Sequence, residues 1–275
     1  MPYKNVAVIG AGTIGTPIAK ALLQEGANVI VLSRPASASG KDLPAEVKVV
    51  PVDYADVSTL AALFKEHGTE VVISTVGAEV LGGLQKGLGD AAKQGGVKLF
   101  VPSEFGFDTI KHTKGGPSLG TIKAELAAHL KNIGLPSARI FTGLFTTYIP
   151  WMLNVNSGSI HLIGKGDKKF STTHPDDIAG FLAYILTHLP ESELHDKAFR
   201  IEGARVTLND VIGFYHDGSK YPIEHVDVIS DNAQKNTLQL IIDSDIGVVV
   251  EEGAASSNAL WAGHAWKGIK EGLGL

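Results

Sequence analysis

Cysteine is absent from all 275 residues, which excludes disulfides and thiolate metal sites. Such a composition fits a reducing compartment, and a cytoplasmic location is the expectation. Clustered positive charge is missing as well. The formal net charge is -5, and no Lys/Arg run exceeds two residues, as in Lys168-Lys169. Without a basic stripe there is no electrostatic footprint for a phosphate backbone, so nucleic acid is not expected as a partner. Long apolar runs are lacking too. The longest uncharged stretch, 140–164, is broken throughout by Thr, Pro, Asn, Ser and Gly, and no membrane span is expected. The opening Met1-Pro2-Tyr3-Lys4-Asn5 leads straight into an apolar run, without signal-peptide architecture.

Two further chemistries are set aside by spacing. His161, His174 and His188 are 13 and 14 residues apart, which matches no short metal-ligand pair, so no metal is expected. His174, just before Pro175-Asp176-Asp177, reads as part of a helix entry with Asp176 or Asp177 as its cap. Gly116-Pro117-Ser118-Leu119-Gly120 has the spacing of a hydrolase nucleophile elbow. That elbow must turn directly from a strand into a helix, whereas a long loop separates the fifth strand from Ser118. Pro117 reads instead as a first-turn helix proline.

Glycine is plentiful, 32 of 275 residues, against an average of about 7%. A fold with many tight βα turns uses it so. Short β-branched runs at 5–9, 28–32, 47–50, 70–74, 97–101 and 137–141 read as buried strands. Between them lie helical patterns, including one with Ile14, Ile18, Leu22 and Leu23 on one face that stops at Glu25-Gly26. Others cover about 56–67 and 117–133. This alternation predicts an α/β fold: a Rossmann-type doubly wound parallel sheet over about 1–150. Beyond Trp151 the alternation breaks down into short strands at 159–163, 169–171 and 198–202, with helices at 176–189 and from 207. A second, smaller α+β region over about 151–275 is expected to bind the substrate.

Gly10-Ala11-Gly12-Thr13-Ile14-Gly15 follows the first strand and opens the first helix. Gly10 permits the tight turn, Gly12 lets backbone approach a pyrophosphate, and Gly15 lets helix pack closely on strand. The anion then meets the free N–H groups and dipole of the helix N-terminus, around Thr13 and Ile14. A dinucleotide is therefore expected. NAD sites end the second strand with a carboxylate for the ribose hydroxyl, but here that end reads Leu32-Ser33-Arg34-Pro35, followed by Lys41. Arg34 and Ser33 suit a 2′-phosphate, and Lys41 adds a second charge, so NADP(H) is the expected cofactor. Asp53-Tyr54 after the third strand is placed to flank the adenine. Thr75, Val76 and Gly77 after the fourth are placed for the ribose-nicotinamide segment.

Pro102-Ser103-Glu104-Phe105-Gly106 follows the fifth strand. With the glycine turn, Arg34, Lys123, Gly143-Leu144-Phe145-Thr146-Thr147-Tyr148 and Asp176-Asp177-Ile178-Ala179, it resembles the isoflavone reductase-like branch of the NmrA-like family. The likeness runs over about residues 4–215. This branch of atypical short-chain dehydrogenases/reductases includes phenylcoumaran benzylic ether reductases and pinoresinol–lariciresinol reductases. The resemblance implies that Lys123 is the catalytic general acid or base, while NADPH delivers a hydride. It also implies that Ser103, Glu104, Phe105 and Lys123 contact the cofactor, and that His174 lines the cleft. On spacing alone Lys123 would be a solvated helix lysine, about 100° from Ile122 at the edge of the stripe Leu119, Ile122, Leu126, Leu130 and Ile133.

The sequence departs from the family in its shorter glycine turn and in the region after about Tyr215. The Tyr-x-x-x-Lys signature of ordinary short-chain dehydrogenases is absent, since Leu119 stands four residues before Lys123. Phe105, Phe145, Tyr148 and Trp151 follow the fifth and sixth strands, on the carboxyl side of the sheet where ligands bind. As a pocket wall they would suit a small aromatic or phenolic substrate. The leading expectation is thus an NADPH-dependent reductase; the alternative is a dinucleotide-sensing regulator without turnover, which the family also contains. Lys123 favours the enzyme. Substrate identity and oligomeric state are left open.

Overall fold

Val6, Ala7, Val8 and Ile9 are all buried, as befits a strand in the middle of a parallel sheet with neighbours on both sides. The computed structural model describes residues 2–35, 42–110, 119–155, 159–215, 222–230, 232–244 and 246–275. The expected Lys41, the start of the 117–133 helix, and the elbow residues Gly116 to Ser118 lie outside them. In chain order the first elements are β1 (Asn5–Ile9), α1 (Gly15–Gln24), β2 (Asn28–Ser33), β3 (Lys48–Pro51), α2 (Val57–Glu66) and β4 (Val71–Ser74). Next come α3 (Ala78–Leu81), α4 (Gln85–Gln94), β5 (Leu99–Val101), α5 (Leu119–Asn132), β6 (Ala138–Phe141) and β7 (Leu144–Phe145). They are followed by α6 (Ile149–Met152), β8 (Ile160–Ile163), β9 (Phe170–Thr173), α7 (Pro175–His188), β10 (Lys197–Arg200) and β11 (Ala204–Val206). The last are α8 (Leu208–Tyr215), β12 (Ile223–Val226), α9 (Ala233–Asp243) and α10 (Ile269–Leu273). No described helix is long and apolar enough to cross a membrane.

The chain divides into two compact units. One takes Met1–Glu104, Thr109–Ile140 and Ile178–Phe199; the other takes Phe105–Asp108, Phe141–Asp177 and Arg200–Leu275. Residues 141–150 thus fall in the second unit and 178–199 in the first, so the pieces interleave across the expected boundary near 150.

The first unit holds the parallel sheet in the order β3-β2-β1-β4-β5. Val8 pairs with Val31 on one side and with Ile73 on the other. The strand order reverses between β1 and β4, the place where open α/β sheets leave a crevice for ligands. Phe100 bridges to Ser137 and carries the sheet toward β6. Alternate side chains supply the core: Ala7, Ile9, Ile30, Leu32, Val72 and Phe100 from the strands meet Leu60, Phe64, Leu88, Leu126 and Leu130 from α2, α4 and α5. Asp56 starts α2 by accepting from the Thr59 N–H at 2.9 Å, and these bonds hold its carboxyl down at about 2. Gly26, with φ 78°, ends α1 in the left-handed conformation expected there. In α5 the expected apolar stripe needs one correction. Leu119 is exposed, while Lys123 is buried together with Leu126 and Leu130.

The second unit is mixed. β9 pairs antiparallel with β11 and parallel with β7, and β8 pairs with β12. Its core gathers Leu144, Ile149, Met152, Ile160, Phe170, Val211 and Ile242. Gln239 on α9 is fully buried; its carbonyl accepts from the Ile163 N–H at 2.8 Å and its amide donates to the His161 carbonyl at 2.9 Å. One side chain thereby satisfies one N–H and one carbonyl on the side of β8 opposite β12, where buried backbone groups left open would be costly.

Candidate active site

The glycine turn divides its labour among three residues. Gly10 adopts φ 94°, and its N–H donates to the Leu32 carbonyl at 2.9 Å, joining the turn to β2. The Thr75 hydroxyl donates to the carbonyls of Ile9 and Gly10, each at 3.0 Å, joining it to β4. A Cβ on Gly15 would stand 2.2 Å from the Gly10 carbonyl oxygen, so close packing of helix on turn admits only hydrogen there. Gly12 is different. A Cβ there would meet nothing within 4 Å, so no contact within the protein requires glycine at this position. Helix α1 starts with no side-chain cap and no acidic residue in its first turn, the arrangement an anion needs.

An open cavity of about 140 Å³ lies over this turn. Its floor is Gly10, Ala11 and Gly12; Ser33, Arg34 and Tyr54 line one end, and Thr75, Val76, Gly77 and Val80 the other. Burial pushes the Tyr54 phenol up, opposed by the nearby Arg34 charge, and its hydroxyl donates to the Leu32 carbonyl at 3.1 Å. Thr13, Ile14, Gly15 and Asp53 stand outside the lining. Asp53 turns into its own loop and accepts from the Ala55 N–H at 3.0 Å. These features fit a dinucleotide: an uncapped helix N-terminus, an unfilled space above Gly12, and a cation at the end of β2.

A second constellation follows β5. Lys123 from α5 is 8% exposed, and its Nζ donates to the backbone carbonyl of Glu104 at 2.8 Å. The Glu104 carboxylate is buried beside it, with Oε2 3.5 Å from that amine. Its other oxygen, Oε1, accepts from Nε of Arg139 at 2.8 Å and from the terminal guanidinium nitrogen at 2.7 Å. Burial lowers the Lys123 pKa from the ordinary lysine value; the attraction of Glu104 opposes this, and the Arg139 charge adds to it. Ser103, one residue earlier, donates its hydroxyl to the Val76 carbonyl at 2.9 Å and its N–H to the Gln85 side chain at 3.1 Å. None of Ser103, Glu104, Phe105 and Lys123 is in the cavity lining above the glycine turn.

In the second unit Phe105 holds φ 29°, a conformation few non-glycine residues adopt. Phe145, Tyr148 and Trp151 form a ladder of rings, with centroids 5.4 and 6.0 Å apart in succession. His174 enters α7 as expected, but its own ring nitrogen accepts from the Asp176 N–H at 3.2 Å, so the imidazole fills the capping role. Asp177 is buried and accepts from the Lys267 N–H at 2.8 Å, with His264 3.0 Å away.

Residues 2–252 of this chain match the NmrA-like family. The chain belongs to that family. It is 32% identical over 234 residues to Oxidoreductase BOA1 of Botryotinia fuckeliana (strain B05.10), covering 78% of this chain and 75% of that protein. It is 23% identical over 262 residues to an isoflavone reductase homolog of Solanum tuberosum, covering 88% and 82%. Its fold matches that of leucoanthocyanidin reductase from Vitis vinifera, solved as a binary complex with NADPH, with a TM-score of 0.79. That match covers 98% of both chains at 21% identity. The expected isoflavone reductase-like kinship and the Rossmann-type parallel sheet are both borne out.

Sequence reasoning passed over Arg139 and Thr109, which complete the surroundings of Glu104. The Thr109 hydroxyl donates to Glu104 Oε2 at 3.0 Å and accepts from Arg139 at 2.9 Å. One signal was available: Arg139 is a charge inside the short, otherwise apolar run Ala138-Arg139-Ile140-Phe141.

Proposed function

We propose that this chain is an NADPH-dependent oxidoreductase of the isoflavone reductase-like type, with Lys123 exchanging a proton with a small aromatic or phenolic substrate. When bound, NADPH supplies the hydride. The turn from Gly10 to Gly15 holds the pyrophosphate, with Thr13 and Ile14 opening the helix that faces it. Ser33 and Arg34 hold the 2′-phosphate, and Thr75 to Gly77 carry the ribose-nicotinamide end. The observation that carries the reading is the buried Lys123 amine, held on the Glu104 carbonyl in the same unit as the glycine cavity. A lysine whose pKa is lowered by burial both takes up and gives up a proton nearer neutrality than a solvated one. Glu104 orients that amine. In the second unit the rings of Phe145 and Tyr148, with Phe105 and His174 as further candidates, offer the surface suited to a flat apolar molecule.

NADPH consumption measured against phenolic ethers, quinones and enones tests this. The expected result is turnover of at least one class, abolished by Lys123→Ala with NADPH binding intact. Tight NADPH binding with no turnover, and no effect of Lys123→Ala in any assay, overturns it in favour of a dinucleotide sensor.

A further inference from the structure

Two cationic side chains approach one buried carboxylate in the first unit, and the three charges do not cancel. Glu104 is 4% exposed and supplies a single negative charge. Arg139 and Lys123 both approach it. A guanidinium does not lose its proton in a protein, so of the two cations at Glu104 only Lys123 can release one. The geometry has the same sense. Both Arg139 nitrogens converge on Oε1, and Thr109, itself bonded by Arg139, donates to Oε2. The Lys123 amine stands 3.5 Å from Oε2, a long and weak contact, while its short bond, 2.8 Å, goes to the neutral Glu104 carbonyl.

We propose that Arg139 is a positioning residue for Lys123: by occupying Glu104, directly and through Thr109, it keeps the carboxylate from closing on the amine. This deepens the reading above and rests on Lys123 as the proton carrier. Among the described residues, the charged groups acting on Lys123 are Glu104 and Arg139. On its own helix, Glu125 is engaged by Lys86 at 2.9 Å and His129 by Asp90 at 2.7 Å. Removing the guanidinium leaves one carboxylate facing one amine, an arrangement in which the ammonium form is matched charge for charge.

Competitive acetylation of the full-length chain with acetic anhydride across pH, read by mass spectrometry at Lys123, measures the amine directly and without cofactor. Arg139→Met should raise the labelling midpoint by about one pH unit or more, a roughly tenfold loss of reactivity below it. Arg139→Lys, which keeps a cation, should stay within about 0.3 unit of wild type. Thr109→Val, which frees Oε2 while Arg139 remains, should give a smaller rise in the same direction and serves if Arg139→Met does not fold. An unchanged or lowered midpoint in folded Arg139→Met, or in Thr109→Val where Arg139→Met fails to fold, overturns the proposal. Should the midpoint rise while the pH–rate profile of the oxidoreductase stays put, the assignment of Arg139 stands and the proton-carrying role of Lys123 falls.

Discussion

Gly12 and Lys123 lie in the same compact unit, yet one contributes by leaving space and the other by filling it. The glycine turn is made of backbone: carbonyls, N–H groups and the gap above Gly12, fixed by strand ends that the sheet already orders. The lysine site is made of side chains from three separated stretches, at 104–109, 123 and 139, whose charges must be reconciled in a buried place. A backbone site tolerates much substitution around it but none at the atoms that touch. A side-chain site depends on how many charges it holds.

The sharpest break of that comparison is Lys123→Arg. It preserves the positive charge but not the ability to release a proton. Turnover should fall about a thousandfold, as far as with Lys123→Met, while NADPH affinity stays within about twofold. Steady-state rates and a binding titration read the two, and retained turnover in Lys123→Arg would mean that charge alone suffices. Next is the pair Gly15→Ala and Gly12→Ala. The first drives a methyl into the Gly10 carbonyl and should destabilise the cofactor-free protein by about 3 kcal/mol. The second points into open space, so it should shift unfolding by less than about 0.5 kcal/mol and weaken NADPH binding about tenfold. Equal thermal shifts would erase the distinction drawn between the two glycines. Below the Gly15 effect, Arg34→Ala should weaken NADPH by about 10- to 30-fold, the range of a lost charge-assisted hydrogen bond, and leave NADH within about twofold. Equal losses for both would remove the phosphate role.

The smallest effect is on stability against pH. The Lys123 pKa is lowered in the folded chain from the ordinary 10.5. Between that lowered value and 10.5 the unfolded chain therefore holds a proton that the folded chain has shed, and stability rises with pH. Urea unfolding at pH 7 and pH 9.5 should show wild type gaining on Lys123→Met as pH increases. A constant difference would place the folded amine at its ordinary value.

Much of the first unit was legible because its physics is local. Runs such as Asn5–Ile9 and Asn28–Ser33 are buried on both faces and so read as continuous apolar stretches. The turn at Gly10 and the stop at Gly26 need φ angles that glycine supplies. Lys123 was legible only through family resemblance. Its burial depends on Glu104 and Arg139 coming alongside, which no spacing on α5 reveals. The chain beyond Tyr215 was for the most part not legible at all. Helix α9 buries Lys235 and Gln239 where an apolar pattern would be sought. Earlier in the second unit, β7 and β11 have two and three residues, too few to show alternation.

Gln239 has a consequence for what holds the second unit together. A strand whose outer side is closed by another strand is protected along its whole length, but β8 is closed at His161 and Ile163 by a single amide. Because Gln239 is itself buried, an apolar replacement of similar size would keep the packing while leaving that N–H and that carbonyl shut away from water without a partner, a direct loss of folding stability.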